Sequence, residues 1–166
     1  MHDENQVTYR RAVARDLDGL VALWDDMMLE HGRRNARVRL AEGALSAYRG
    51  YLSYHLSREE SLILVAEAGG RLVGFCLSTV SRNLAMFLPA LFGYLSDLVV
   101  DAAWRRRGIG RALFGASMDW LRARRIETVQ LQYYYLNEAG EAFWRAMGFE
   151  PFYTRMWLDL ADGERR

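Results

Sequence analysis

The chain has a single cysteine, Cys76, so no internal disulfide can form, a usage that suits a reducing compartment. Net charge is equally scarce. A balance of +1 at pH 7 over 166 residues argues against a general nucleic-acid coat, a role that needs a strong basic excess, so no nucleic-acid partner is expected. No window approaches the ~18 uninterrupted apolar residues of a membrane span, and MHDENQVTYRR lacks the apolar centre of a secretory signal. A soluble cytoplasmic protein that engages no membrane is the expectation. His2, His31 and His55 show no metal-ligand spacing, and no metal site is expected. Repeats, low-complexity tracts and interdomain linkers are missing as well. What is plentiful is apolar surface: 51% hydrophobic side chains enclose one sizeable core but hardly two, so residues 1–166 are expected to form one domain. Cys76, inside the strand-like LVGFCLSTV, reads as a buried structural thiol rather than a nucleophile.

The patterning predicts a mixed α/β order. VTYRRAV suggests a short first strand, and a helix from about Asp16 carries Leu17, Leu20, Val21, Trp24, Met27 and Met28 on one face. After the basic HGRRNARVR, the positions Leu40, Ala44, Leu45, Tyr48, Tyr51, Leu52 and Leu56 return to helical spacing. SLILVAEA and RLVGFCLSTVS are β-rich runs joined by Gly69 and Gly70, a pair suited to a two-residue hairpin turn. LFGYLSDLVV reads as another strand. A helix follows with Ile109, Ala112, Leu113, Ala116, Trp120 and Leu121 on one face, then a strand in TVQLQYY. NEAGEAFWRAM is a short helix with Asn137 as its N-cap and Gly148 as its stop, and EPFYTRMWLDL reads as a final strand.

The stretch WRRRGIGRALF joins a strand ending at Val100 to a helix start. Gly108 and Gly110 let backbone N–H groups approach a ligand without Cβ interference, the helix presents its positive dipole end, and the arginines add charge-assisted bonds. A phosphate-bearing ligand is the natural guest. The Lys-Ser/Thr of the nucleotide-triphosphate loop is missing, and the third glycine of the dinucleotide fingerprint is replaced by Leu113, so both of those readings lose.

At these residues the sequence resembles the GNAT superfamily of acyl-CoA-dependent N-acetyltransferases. Arg105, Arg106, Arg107, Gly108, Ile109 and Gly110 match its Gln/Arg-x-x-Gly-x-Gly/Ala phosphate motif in register. Asn137, Gly140, Phe143, Trp144, Gly148 and Phe149 are similar to a second pattern of the family, in the family's order. The likeness runs from about Arg71 to Leu160. It implies a central mixed, mostly antiparallel twisted sheet of about 6–7 strands flanked by about four helices. Acceptor-side helices would lie at about 16–57 and the acetyl-CoA-binding core at about 71–160.

The resemblance implies that the diphosphate of acetyl-CoA rests on the N–H groups of residues 106 to 111, with Arg105, Arg106, Arg107 and Arg111 about it. The pantetheine arm would run beside Leu98, Val99 and Val100 as an added strand does. Backbone N–H groups near Leu98 and Val99 would then face the carbonyl oxygen as it gains charge. Asn137 is similar to the family's cofactor-contacting Asn, although an ordinary N-cap explains it almost as well. The chemistry implied is direct attack of a neutral primary amine on the thioester, after the ammonium has lost a proton.

Two departures stand out. Polyamine-acetylating members carry a strand similar to LEDLYV, where this chain has LSDLVV: Ser96 replaces the Glu, and Asp97 remains as the candidate base, with a structural carboxylate as the alternative. Trp144 occupies the place of a Tyr whose hydroxyl protonates the departing thiolate, which an indole cannot do. Within QLQYYY, alternation puts Tyr133 with Val129 and Leu131 on the core face and Tyr134 with Gln130 and Gln132, so Tyr134 is the candidate acid, against simple aromatic packing. The competing reading is a non-catalytic acyl-CoA-binding regulatory module, motivated by Trp144 and Ser96. LAMFLPALFGYL and FYTRMWLDL carry more large apolar side chains than one sheet face readily hides, which suggests a homodimer, with an ordinary apolar core as the simpler account.

Overall fold

Two β-rich runs meet at Gly69 and Gly70, and both glycines adopt positive φ, 55° and 76°, the backbone a tight hairpin demands. In the computed structural model, which describes residues 6–160, this hairpin joins β2 (Ser61–Ala68) to β3 (Arg71–Arg82). His2 lies outside the described residues. The remaining elements are β1 (Thr8–Arg11), α1 (Leu17–Arg34), α2 (Ala44–Leu56), β4 (Leu91–Val100), α3 (Ile109–Arg122), β5 (Val129–Leu131) and α4 (Glu138–Ala146), with 3-10 turns at Ala14–Asp16 and Ala102–Trp104. The sheet order is β1-β2-β3-β4-β5, antiparallel except for the parallel β4/β5 pair. No helix among the described residues is long and apolar enough to cross a membrane.

Each sheet face carries its own apolar cluster. On one side Ile109, Leu113, Trp120 and Leu121 of α3 pack with Leu62, Val73, Cys76 and Leu95. Cys76 is fully buried, hydrogen-bonded to Ser117 at 3.2 Å, and burial pushes its thiol up to about 11, in keeping with a structural role. On the other side Leu17, Leu20 and Leu23 of α1 and Tyr48 and Leu52 of α2 pack with Ile63, Val65, Phe75, Leu77 and Val99. Arg10 of β1 pins the start of α1 to the sheet, donating to Asp16 at 2.7 Å and Glu67 at 2.6 Å. Hydrogen bonds from Arg10 hold the Asp16 carboxyl below its ordinary range.

The expectation of 6–7 strands is corrected to five among the described residues. TVQLQYY yields only the three residues of β5, because the chain turns at once: the Tyr134 carbonyl accepts the Asn137 N–H at 2.8 Å. That leaves EPFYTRMWLDL no edge of useful length to pair with. Residues 150–160 form no strand despite β-favouring side chains, and their large apolar groups stand in solvent, Phe152 at 82% and Met156 at 89% exposure. The alternation argument for the tyrosines fails for the same reason. Tyr133, assigned to the core face, is 40% exposed, and Tyr134 is 42% exposed.

Candidate active site

β4 builds the centre of the site through one irregularity. Leu77 faces Asp97 across the β3/β4 ladder and Ser78 faces Leu95, so Ser96 is an extra, bulged residue. The insertion reverses the alternation. Leu95 and Leu98, three positions apart, both pack on the α3 cluster, while Val99 packs on the α1/α2 cluster. Asp97, two residues before Val99, therefore points at α1 and α2.

There it meets aromatic rings. Tyr48 of α2 is held by stacking on Trp24 of α1, ring centroids 4.0 Å apart, and Tyr51 follows at 5.8 Å, its hydroxyl donating to Ser96 Oγ at 3.3 Å. The buried Tyr48 hydroxyl faces the Asp97 carboxylate without closing a well-formed hydrogen bond to it or to any other group. Asp97 makes no ion pair among the described residues. Burial without a cation lifts its pKa from 3.8 to about 6, and Tyr48 only partly opposes the rise.

The open edge of β4 lies beyond Leu95, where pairing with β5 ends. Asp101 donates its N–H to Val73 at 2.9 Å, so alternation sends the Val99 N–H to β3 as well and turns those of Leu98 and Val100 outward. Of the two N–H groups expected near a thioester, Leu98 is thus available and Val99 is spent. Val100 adds the second free donor.

Past β4 the loop coils tightly. Arg106 and Gly108 both take left-handed φ, 65° and 83°, and α3 opens at Ile109, the backbone signature of an anion-binding nest at a helix N-terminus. Only Gly108 needs its glycine for conformation, since a Cβ at Gly110 would meet Phe143 at an ordinary 3.6 Å. The arginines divide in role. Arg105 spends its guanidinium on protein, donating to Glu30 of α1 at 2.7 and 3.2 Å and to the Val100 carbonyl at 3.1 Å. Arg106, Arg107 and Arg111 are exposed and enter no ion pair among the described residues, with Arg107 lying over the Trp104 ring at 4.7 Å.

Glu30 also takes Arg34 at 2.6 Å, and Arg34 reaches Asn137 Oδ1 at 3.1 Å, while the same oxygen caps α4 by accepting from Gly140 N–H at 3.2 Å. The α1 helix therefore spans from the Arg105–Gly108 loop to the start of α4. A groove of about 580 Å³ runs beneath this brace, lined by Leu23, Met27 and Glu30 on one wall and Val99, Val100 and Arg105 on the other. Next to Glu30 on α1, His31 packs on Tyr134, ring centroids 4.9 Å apart, and burial together with nearby Arg34 lowers the imidazole pKa. Trp144 stands away from this groove, edge-to-face with Phe114, Phe143 and Phe149 between α3 and α4.

Sequence reasoning missed Tyr48, Tyr51, Glu30, Arg34 and His31. The Glu30/Arg34 pair was readable as an i,i+4 ion pair, whereas the two tyrosines looked like ordinary members of an apolar helix face.

Comparison with known proteins follows the same lines. An N-α-acetyltransferase of Sulfurisphaera tokodaii is 30% identical over 101 residues, covering 58% of this chain and 60% of the relative. An uncharacterized N-acetyltransferase of Methanocaldococcus jannaschii is 29% identical over 104 residues, covering 61% of this chain and 45% of the relative. The matched stretch thus spans about half the length of these curated relatives. A predicted acetyltransferase of Clostridium acetobutylicum, solved with acetyl-CoA, shares the fold with a TM-score of 0.78 at 15% identity, covering 96% of this chain and all of that one. Residues 22–149 match the Acetyltransferase (GNAT) family, and the chain belongs to that family.

Proposed function

We propose that the protein transfers an acetyl group from acetyl-CoA to a primary amine by direct attack of the amine on the thioester. The observation that carries this reading is the junction of an open β4 edge with the left-handed loop Arg106–Gly108 at the start of α3. Acetyl-CoA supplies the activated acetyl group. The N–H groups of residues 106 to 111, with the free charges of Arg106, Arg107 and Arg111, hold its diphosphate. Arg105 sets the loop against α1. Leu98 and Val100 pair with the pantetheine amides, and the Leu98 N–H faces the thioester oxygen. Asn137 borders the same groove through Arg34. Trp144 packs the α3/α4 junction that carries the loop.

Asp97 takes the proton from the incoming ammonium. A carboxylate with a pKa near 6 is ionised at neutral pH and a stronger base than an exposed aspartate. Tyr134, packed on His31 of α1, is the donor to the departing thiolate. The likeness to the N-α-acetyltransferase of Sulfurisphaera tokodaii supports an amine acceptor. The buried single thiol suits a reducing cytoplasm. The apolar residues Leu84, Met86, Phe87 and Leu88 in the β3/β4 loop and those at 152–160 support a homodimer, and a monomer by sedimentation at tens of micromolar would dispose of it.

The test is thiol release from acetyl-CoA with a panel of primary amines, preceded by a thermal shift. Acetyl-CoA at a hundredfold excess over its Kd should stabilise the fold by about 2.7 kcal/mol. No shift at millimolar acetyl-CoA removes the cofactor reading. A clear shift without turnover of any amine leaves a binding module in its place.

A further inference from the structure

The Asp97 carboxylate is half-buried, lacks a cation, and opens onto a wall that is aromatic rather than acidic. We propose that the acceptor is a monoamine with an aromatic body, its ammonium drawn to Asp97 and its ring laid against the wall formed by Tyr51, Tyr94 and Tyr153. The proposal rests on the acetyl-transfer reading for its reaction, though not for its site.

Three observations converge. The bulge at Ser96 puts Tyr94 and Asp97 on the same face of β4, so the tyrosine stands immediately beside the carboxylate. Tyr51 closes the helix side, fixed by its bond to Ser96 and by the stacked Trp24 and Tyr48 behind it. Tyr153 closes the third side, its hydroxyl accepting from Gln132 just beyond β5. The hydroxyls of Tyr153 and Tyr51 and the Asp97 carboxylate lie near enough to add to burial in holding the Tyr94 hydroxyl protonated.

The charge inventory then selects the ligand. One carboxylate answers one ammonium, and a cation beside aromatic faces gains further. A polyamine needs more acid than the wall offers: Asp16 and Glu30 are consumed by arginines, and besides Asp97 the charged side chain whose field is felt at Tyr94 is Arg155, a cation. A flat apolar body, by contrast, exchanges water for tyrosine surface at no electrostatic cost.

Two measurements on the full chain test this. Thiol release from acetyl-CoA is followed with 2-phenylethylamine, n-butylamine, spermidine and an unblocked alanine tetrapeptide, and 2-phenylethylamine binding is read by calorimetry. We expect kcat/KM for 2-phenylethylamine to exceed each of the others by about tenfold or more, the scale of one good aromatic contact plus added apolar burial. Tyr94→Leu and, separately, Tyr51→Leu should erase most of that preference, and Asp97→Asn should abolish the calorimetric signal. Equal or better turnover of n-butylamine, spermidine or the peptide overturns the proposal while leaving acetyl transfer intact. Binding of 2-phenylethylamine that depends on Asp97, with no amine acetylated, supports the site and sinks the reaction. No binding and no aromatic preference sinks the site.

Discussion

Replacing Asp97 with asparagine should make the protein more stable and less active, and the stability gain should depend on pH in a direction that can be worked out. Burial lifts the Asp97 pKa from 3.8 to about 6. At 1.36 kcal/mol for each tenfold change in proton affinity, the ionised carboxylate is worse off in the fold than in the unfolded chain by at most about 3 kcal/mol. Solvent reaching the half-buried group trims this to about 2 kcal/mol. The folded state binds the proton more tightly, so stability contributed by the protonated form is full below pH 3.8, drains away as pH rises toward 6, and stays lost above it. Asparagine carries no charge and escapes the loss.

The assay is a pair of melting curves, wild type against Asp97→Asn, taken from pH 4 to 8. At pH 8 the variant should melt roughly 4–8 °C higher, at about 2–4 °C per kcal/mol for a chain of this size. Near pH 4 the two should coincide. In parallel, wild-type kcat/KM should fall below pH 6 as the carboxylate takes up its proton, and the variant should lose that limb together with about 10²–10⁴ in rate. A variant that melts lower than wild type at pH 8, or a difference that does not change with pH, refutes the reasoning. It would mean that Asp97 is a satisfied structural carboxylate.

Tyr48→Phe removes the one hydroxyl that favours the Asp97 anion, so the limb of the pH–rate profile should move upward; an unmoved limb means the two groups do not interact. Arg105→Lys keeps the charge but loses the fork to Glu30 and Val100, so Tm should drop by about 2–4 °C, as expected for about 1 kcal/mol, with acetyl-CoA affinity nearly unchanged. A large loss of affinity at constant Tm would make Arg105 a phosphate ligand after all. Gly108→Asp should abolish acetyl-CoA binding, since it combines an unfavourable left-handed φ with like charge at the nest, and retained affinity in a binding titration would place the phosphates elsewhere. Tyr134→Phe should lower kcat by about 10² while sparing acetyl-CoA binding, and normal turnover removes Tyr134 as the acid.

Local chemistry was legible wherever a short stretch decides its own backbone. Gly69 and Gly70 suit a two-residue turn, Asn137 a cap and Gly148 a helix stop, and each is found there. The amphipathic face of α3 was equally plain, because Ile109, Leu113, Trp120 and Leu121 serve one partner, the sheet. EPFYTRMWLDL misled because strand propensity states only what a segment suits. Whether it pairs depends on an edge elsewhere, and β5 offers three residues.

The active-site geometry stayed hidden for a stricter reason: it depends on parity. LSDLVV read as plain alternation puts Leu95, Asp97 and Val99 on one face, which would leave the candidate base among the residues packing α3. The extra residue at Ser96 breaks that pattern, and only the β3 register reveals it, since Ser78 and Leu77 meet Leu95 and Asp97 respectively. From this single insertion follow the aim of Asp97 at Tyr48, its lack of a cation, its raised pKa and its neighbour Tyr94. The bond that joins the two halves of the site has the same character. Glu30 and Arg105 are far apart in sequence and ordinary in composition, yet their contact sets α1, which carries Trp24 of the aromatic wall's backing, against the loop proposed to hold the diphosphate. The proposed acceptor and cofactor sites thus share one helix, and a change that shifts α1 must be felt at both.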